Sequence, residues 1–233
     1  MKARAALLAL ALVAVSLTGC SSVIVGEPVT ENRDVGEFTT VSIDGPGTLS
    51  ITTGDTASLT ITAPQSTLDS INTTTLSGVL EISPDYTSTD LHGPVIYMLT
   101  VPVVDGIIVR GSATVSADFT GATDASIETR GSGSVTGTNL DADHAQATVR
   151  GSGGIKIVGS VTMLSVVVTG SGDYEGPELE SRECTVDIAG SGDAKVNVTR
   201  TLAIDVRGSG NVAYTGGAEV TSDIAGSGKV SEF

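Results

Sequence analysis

Apolar and polar residues alternate in short stretches along this chain, and the stretches recur around a Gly-Ser dipeptide at a nearly constant interval. The dipeptides begin at Gly111, Gly131, Gly151, Gly170, Gly190, Gly208 and Gly226, in steps of 20, 20, 19, 20, 18 and 18 residues. Two places before each stand Val109, Thr129, Val149, Val168, Ile188, Val206 and Ile224, and four places after it Val115, Val135, Ile155, Tyr174, Ala194, Val212 and Val230. Alternation of period two on both sides of a glycine corner predicts two strands per repeat that meet there, with a third, less regular strand in the remainder. A repeat of this length is too short for a pair of helices and right for one turn of a β-solenoid. Stacked turns pair each strand with its own copy ~4.8 Å away, in parallel. The fold class is therefore all-β, a single elongated solenoid of 18 to 20 residues per coil.

The stretch from Phe38 to Pro102 carries a weaker form of the pattern. Val41, Ile43, Gly45-Pro46-Gly47, Leu49 and Ile51 occupy the places of a later motif, and further alternating runs follow at 58–62, 78–83 and 95–101. This reads as a first coil plus a strand-rich N-terminal cap over residues 34–104, ahead of seven repeated coils over 105–233. The glycines serve tight corners and close backbone approach. They are no dinucleotide fingerprint: the place five after each first Gly holds Ser116, Thr136, Lys156, Glu175, Lys195, Ala213 or Ser231 instead of a third Gly.

Phe38-x-x-Val41-x-Ile43-x-Gly45-Pro46-Gly47, then Gly54-Asp55, then Val101-Pro102 leading into Gly-Ser-Gly repeats, resembles the head GIN domain of putative autotransporter adhesins, a domain of unknown function. The resemblance covers nearly all of residues 34–233 and implies a right-handed parallel β-helix in an exported protein or lipoprotein. It brings no catalytic residues. The Gly-Ile-Asn motif that names the family is absent, and Gly-Ser-Gly stands at the comparable corner.

Residues 1–19 have the form of an export signal, with Lys2 and Arg4 before the apolar run from Ala5 to Leu17. Leu17-Thr18-Gly19-Cys20 resembles the bacterial lipobox, which implies cleavage before Cys20, a lipid on its sulfur, and a tether over 20–33. Several acyl chains hold a protein to a bilayer without a spanning helix. The expected location is extracytoplasmic, on the cell membrane or the outer membrane according to the envelope. Loss of the signal leaves ten basic residues against 27 acidic ones, a formal charge of −17, which disfavours nucleic acid and anionic lipid as partners. Cys184 is left without an intramolecular disulfide partner. Aromatic residues are 3% and Trp is absent, a composition that suits a narrow bore filled by β-branched side chains.

Two outward columns carry candidate chemistry. Immediately before the corner, Arg110, Arg130 and Arg150 stack on three consecutive coils and form a candidate anion or acidic-partner site, through the planar fork of guanidinium. Their alternative is a solvated face in which Glu128 pairs Arg130. Three places before the corner, Asp187, Asp205 and Asp223 form a weak calcium candidate, tempered by Arg207. His92 and His144 have no partner at metal-ligand spacing along the sequence, and Cys184 falls in an inward column. No cofactor and no catalytic residue is expected. The coils vary by two residues, which leaves no long loops to wall a catalytic cleft. The expected function is a lipid-anchored, non-catalytic surface module for an envelope glycan or protein partner. A calcium-dependent polysaccharide lyase is the enzymatic alternative. End-to-end self-association is the structural one, since Phe233 stands five residues after the last Gly and little sequence is expected to cover the strand edges of the final coil.

Overall fold

A computed structural model describes residues 26–85 and 93–233. Cys20 and His92 lie outside them. The strands are β1 (Pro28–Arg33), β2 (Thr40–Gly45), β3 (Thr48–Thr53), β4 (Ser58–Pro64), β5 (Ile71–Leu76), β6 (Val79–Pro84), β7 (Ile96–Val101), β8 (Gly106–Gly111), β9 (Thr114–Asp118) and β10 (Asp124–Gly131). They continue as β11 (Ser134–Gly151), β12 (Gly154–Gly170), β13 (Asp173–Gly190), β14 (Ala194–Gly208), β15 (Val212–Thr215), β16 (Glu219–Gly226) and β17 (Val230–Glu232). One short helix, α1 (Gln65–Leu68), follows β4.

The columns read from sequence are the register of the sheet. Val109, Thr129, Val149, Val168, Ile188, Val206 and Ile224 are successive partners in parallel pairs from β8 to β16. The third strand of each turn exists as paired residues, Leu140–Ala142 on Gly159–Val161, but no break sets it apart. β11 to β14 run on through the bend, with register shifts such as the one between Gly137 and Leu140. The bore is apolar, and its few aromatics sit where a glycine makes room. A Cβ on Gly137 would lie 2.7 Å from the Phe119 ring, and one on Gly176 would lie 2.5 Å from the Tyr174 hydroxyl.

Each corner is closed by its glycine. All seven first glycines have φ between +101° and +146°, a region that side chains rarely adopt. At Gly131, an added Cβ would also come within 2.6 Å of the Gly111 carbonyl oxygen one turn back. That oxygen is in use: it accepts hydrogen bonds from the backbone N–H groups of both Ser132 and Gly133, at 2.9 Å each.

The N-terminal end departs from simple succession. β2 and β3 stack on β8 and β9 with Val41 on Ile107 and Leu49 on Val115, as the sequence pattern predicts. β6 and β7 then pair in parallel with the other edges of β2 and β3, with Leu80 on Val41 and Tyr97 on Leu49. The coil at 40–53 is thus inserted between a later one and the repeat. Antiparallel strands cover the outer edge, β5 on β6 and β4 on β7, and β1 pairs with β4. Among the described residues, no helix is long and apolar enough to cross a membrane.

Candidate functional site

The outward columns take their positions from the strand register. Asp44, Arg110, Arg130, Arg150 and Thr169 follow one another directly, so the arginine column begins opposite an aspartate. Glu128 serves two of the arginines: it accepts from Arg130 Nε at 2.9 Å and Nη2 at 2.8 Å, and it also pairs with Arg150 Nη1. The hydrogen bond from Arg130, and then the charges of Arg130, Arg150 and Arg110, hold the Glu128 carboxyl below its ordinary value. Arg110 donates to Ser42 Oγ at 2.7 Å and stands 3.6 Å from Glu81. The arginines are therefore brought together and largely neutralised within the protein.

Asp187, Asp205 and Asp223 are also stacked in register, and Arg207 Nη2 donates to Asp205 Oδ2 at 2.5 Å. A shallow depression of about 290 Å³ lies over this column. Among the described residues, no three His, Cys, Asp or Glu side chains gather closely enough to hold a metal ion. Other acidic groups have structural work: Asp173 Oδ1 accepts from the Asp193 backbone N–H at 2.9 Å, and Asp193 Oδ1 from that of Asn211 at 2.7 Å. Cys184 is buried in the bore with its thiol pushed up to about 12 by burial, so it is not poised as a nucleophile.

One large concavity has no counterpart among the sequence-derived candidates. It is a groove of about 890 Å³ that runs along the solenoid axis at the start of each strand leading into a corner. Its floor is one unbroken row of outward positions, short except at Gln146, from Thr40 and Gly106 through Ser126, Gln146, Ser165 and Thr185 to Ala203 and Thr221. Ala125, Ala145, Leu164 and Leu202 border this row but face the bore and are 1–4% exposed. A second row, two residues earlier, is longer and forms a rim: Asp124, His144, Met163, Glu183, Thr201 and Glu219. Short residues flanked by long ones, repeated by register, make a continuous channel.

The rim brings together residues that linear spacing separates. His144 Nδ1 lies 3.1 Å from Asp124 Oδ1, one coil away. The signal was present, since the two residues are 20 apart, the length of a coil, but it appears only when columns are compared. Met163 is 42% exposed, an apolar side chain held at the rim between His144 and Glu183. A second surface, on β3, β9 and β11, is a field of short hydroxyls, with Thr48, Ser50, Thr114, Ser116, Ser134 and Thr136 in register.

Comparison with known proteins agrees with this architecture. A solved structure of a putative adhesin from Bacteroides fragilis NCTC 9343 superposes with a TM-score of 0.82 at 21% identity, covering 89% of this chain and 97% of that one. A putative lipid binding protein from Parabacteroides distasonis ATCC 8503 superposes with a TM-score of 0.71 at 21% identity, over 89% and 97% of the two chains. A putative adhesin from Parabacteroides merdae ATCC 43184 gives 0.67 at 18% identity, with the same coverage. No curated protein matches the sequence. A family model described as "Putative auto-transporter adhesin, head GIN domain" matches residues 37–218, and the chain belongs to that family.

Proposed function

We propose that the protein is a lipid-anchored, extracytoplasmic, non-catalytic adhesin-like module that holds an extended ligand in the axial groove. The groove carries the reading: it spans the repeat without interruption and carries a hydrogen-bonding side chain on every coil. Membership in a family of putative adhesins supports a binding role. The His144–Asp124 pair is exposed at the rim, and Cys184 lies in the bore with a raised thiol, so neither supplies an activated nucleophile beside a positioned base. Acylation of Cys20 would place the solenoid a short tether from the bilayer.

Cells that display the full chain test both parts. Cys20→Ser should release the protein from the membrane fraction. Ser165→Trp together with Thr185→Trp, which fills the groove floor with indole rings, should abolish retention of the cells on their target surface while leaving the anchored amount unchanged. Retention that survives the double variant would refute the groove as the contact site.

A further inference from the structure

The charge around the groove points to the chemistry of its occupant, and this step rests on the groove reading above. Among the described residues, four carboxylates line it, Asp105, Asp124, Glu183 and Glu219, and no Lys or Arg does. Two are partly matched already: Asp124 faces His144 at 3.1 Å, and Glu183 accepts from Arg200 Nη1 at 2.6 Å. Beyond the floor on its other side, the column of Asp187, Asp205 and Asp223 continues the negative potential, with Arg207 on Asp205. The arginines that might have offset it are turned to Glu128, Glu81 and Ser42. The whole chain carries a formal charge of −15, so approach of a cation is favoured at long range as well.

We propose that the groove binds an extended basic polypeptide segment whose lysine or arginine side chains reach the carboxylate rim. The floor distinguishes such a segment from a simple polyamine. Its hydroxyls and the Gln146 amide both donate and accept, which suits peptide groups, and the exposed Met163 side chain at the rim suits an aliphatic side chain. Seven strand spacings separate Thr40 from Thr221, roughly 34 Å, which an extended peptide of about ten residues spans. Such a peptide lies across the strands and reads the columns, unlike a peptide that adds a strand to a sheet edge.

The test uses the full chain in detergent and a fluorescent ten-residue peptide of repeating Lys-Leu-Ser, with its Glu-Leu-Ser counterpart as control. Anisotropy should show saturable binding of the lysine peptide only. The affinity should fall roughly tenfold as ionic strength rises from about 0.05 to 0.5 M, because the contacts are exposed ion pairs. Neutralising the rim with Asp124→Asn, Glu183→Gln and Glu219→Gln should weaken binding roughly tenfold. The same change in net charge made off the groove, at Asp34, Asp55 and Glu175, should alter it less than about threefold. Equal binding of both peptides, no binding of either, or equal effects of the two triple variants would overturn the proposal. If the lysine peptide fails while the Ser165→Trp and Thr185→Trp variant still abolishes retention on cells, the groove remains the site and the basic-peptide chemistry is wrong.

Discussion

The two ends of the solenoid are built from the same column pattern and end in opposite ways. At the N-terminal end, Leu80 and Ile82 of β6 are fully buried because β5 hydrogen-bonds along one side of β6 and β2 along the other. At the C-terminal end, Ile188 and Val206 are 2% and 0% exposed, whereas Ile224, next in the same column, is 37% exposed. The residue type and strand position are unchanged. What differs is whether another coil lies on top. Burial in this fold is a property of neighbours along the axis, so the worth of a side chain depends on its place in the stack as well as on its chemistry.

Substitutions along the columns can break this contrast, and the corner gives the largest effect. Gly131→Val forces a β-branched residue to φ +122° and drives its Cβ toward the Gly111 carbonyl. Urea unfolding should show a loss of about 3–5 kcal/mol. By contrast, Gly217→Ala, at φ +79° with open space around it, should cost about 1 kcal/mol. The axial contrast comes next: Ile188→Ala should cost about 2–5 kcal/mol and Ile224→Ala about 1 kcal/mol or less, since Ile224 has little left to lose. Equal losses at the two isoleucines would mean that the last coil is covered in solution.

A smaller effect has the opposite sign. Thr129 stands in the inward column between Val109 and Val149, fully buried, with a hydroxyl that has no hydrogen-bond partner among the described residues. Thr129→Val keeps the shape and removes the orphaned group, and the midpoint of denaturation should rise by the equivalent of about 1 kcal/mol.

The smallest effect is electrostatic. The folded-state value of Glu128 is depressed, so its contribution is present above the ordinary glutamate value of 4.5 and is lost as pH falls through the lower folded value. After solvent screening, this should amount to a few tenths of a kcal/mol. Glu128→Gln should flatten the acid limb of the stability profile by that amount, lowering stability by it at pH values well above 4.5 and leaving stability unchanged below the folded value.

The contrast between the two ends also marks how far sequence reading reaches. Within the repeat, alternation around each Gly-Ser fixes which side chains face the bore and which residues pair, because every coil has the same length to within two residues. In the cap, Leu80, Ile82, Tyr97 and Leu99 have the right alternation, but alternation alone does not say which edge a strand takes. The placement of β6 and β7 outside β2 and β3 was therefore not legible. The arginine and aspartate columns were found because like charges stand out when stacked. The groove was not legible because its floor is mostly Ser, Thr, Ala and Gly, with one Gln, and its rim mixes Asp, His, Met, Glu and Thr. Its signal is side-chain length compared between adjacent columns.

The most direct test of the account compares two faces of the molecule in one retention assay. Ser165→Trp with Thr185→Trp obstructs the groove, and Ser116→Trp with Thr136→Trp obstructs the hydroxyl field on β9 and β11. Loss of retention with the first pair and not the second is the predicted result. Loss with the second pair and full retention with the first would contradict the assignment of the groove as the binding site.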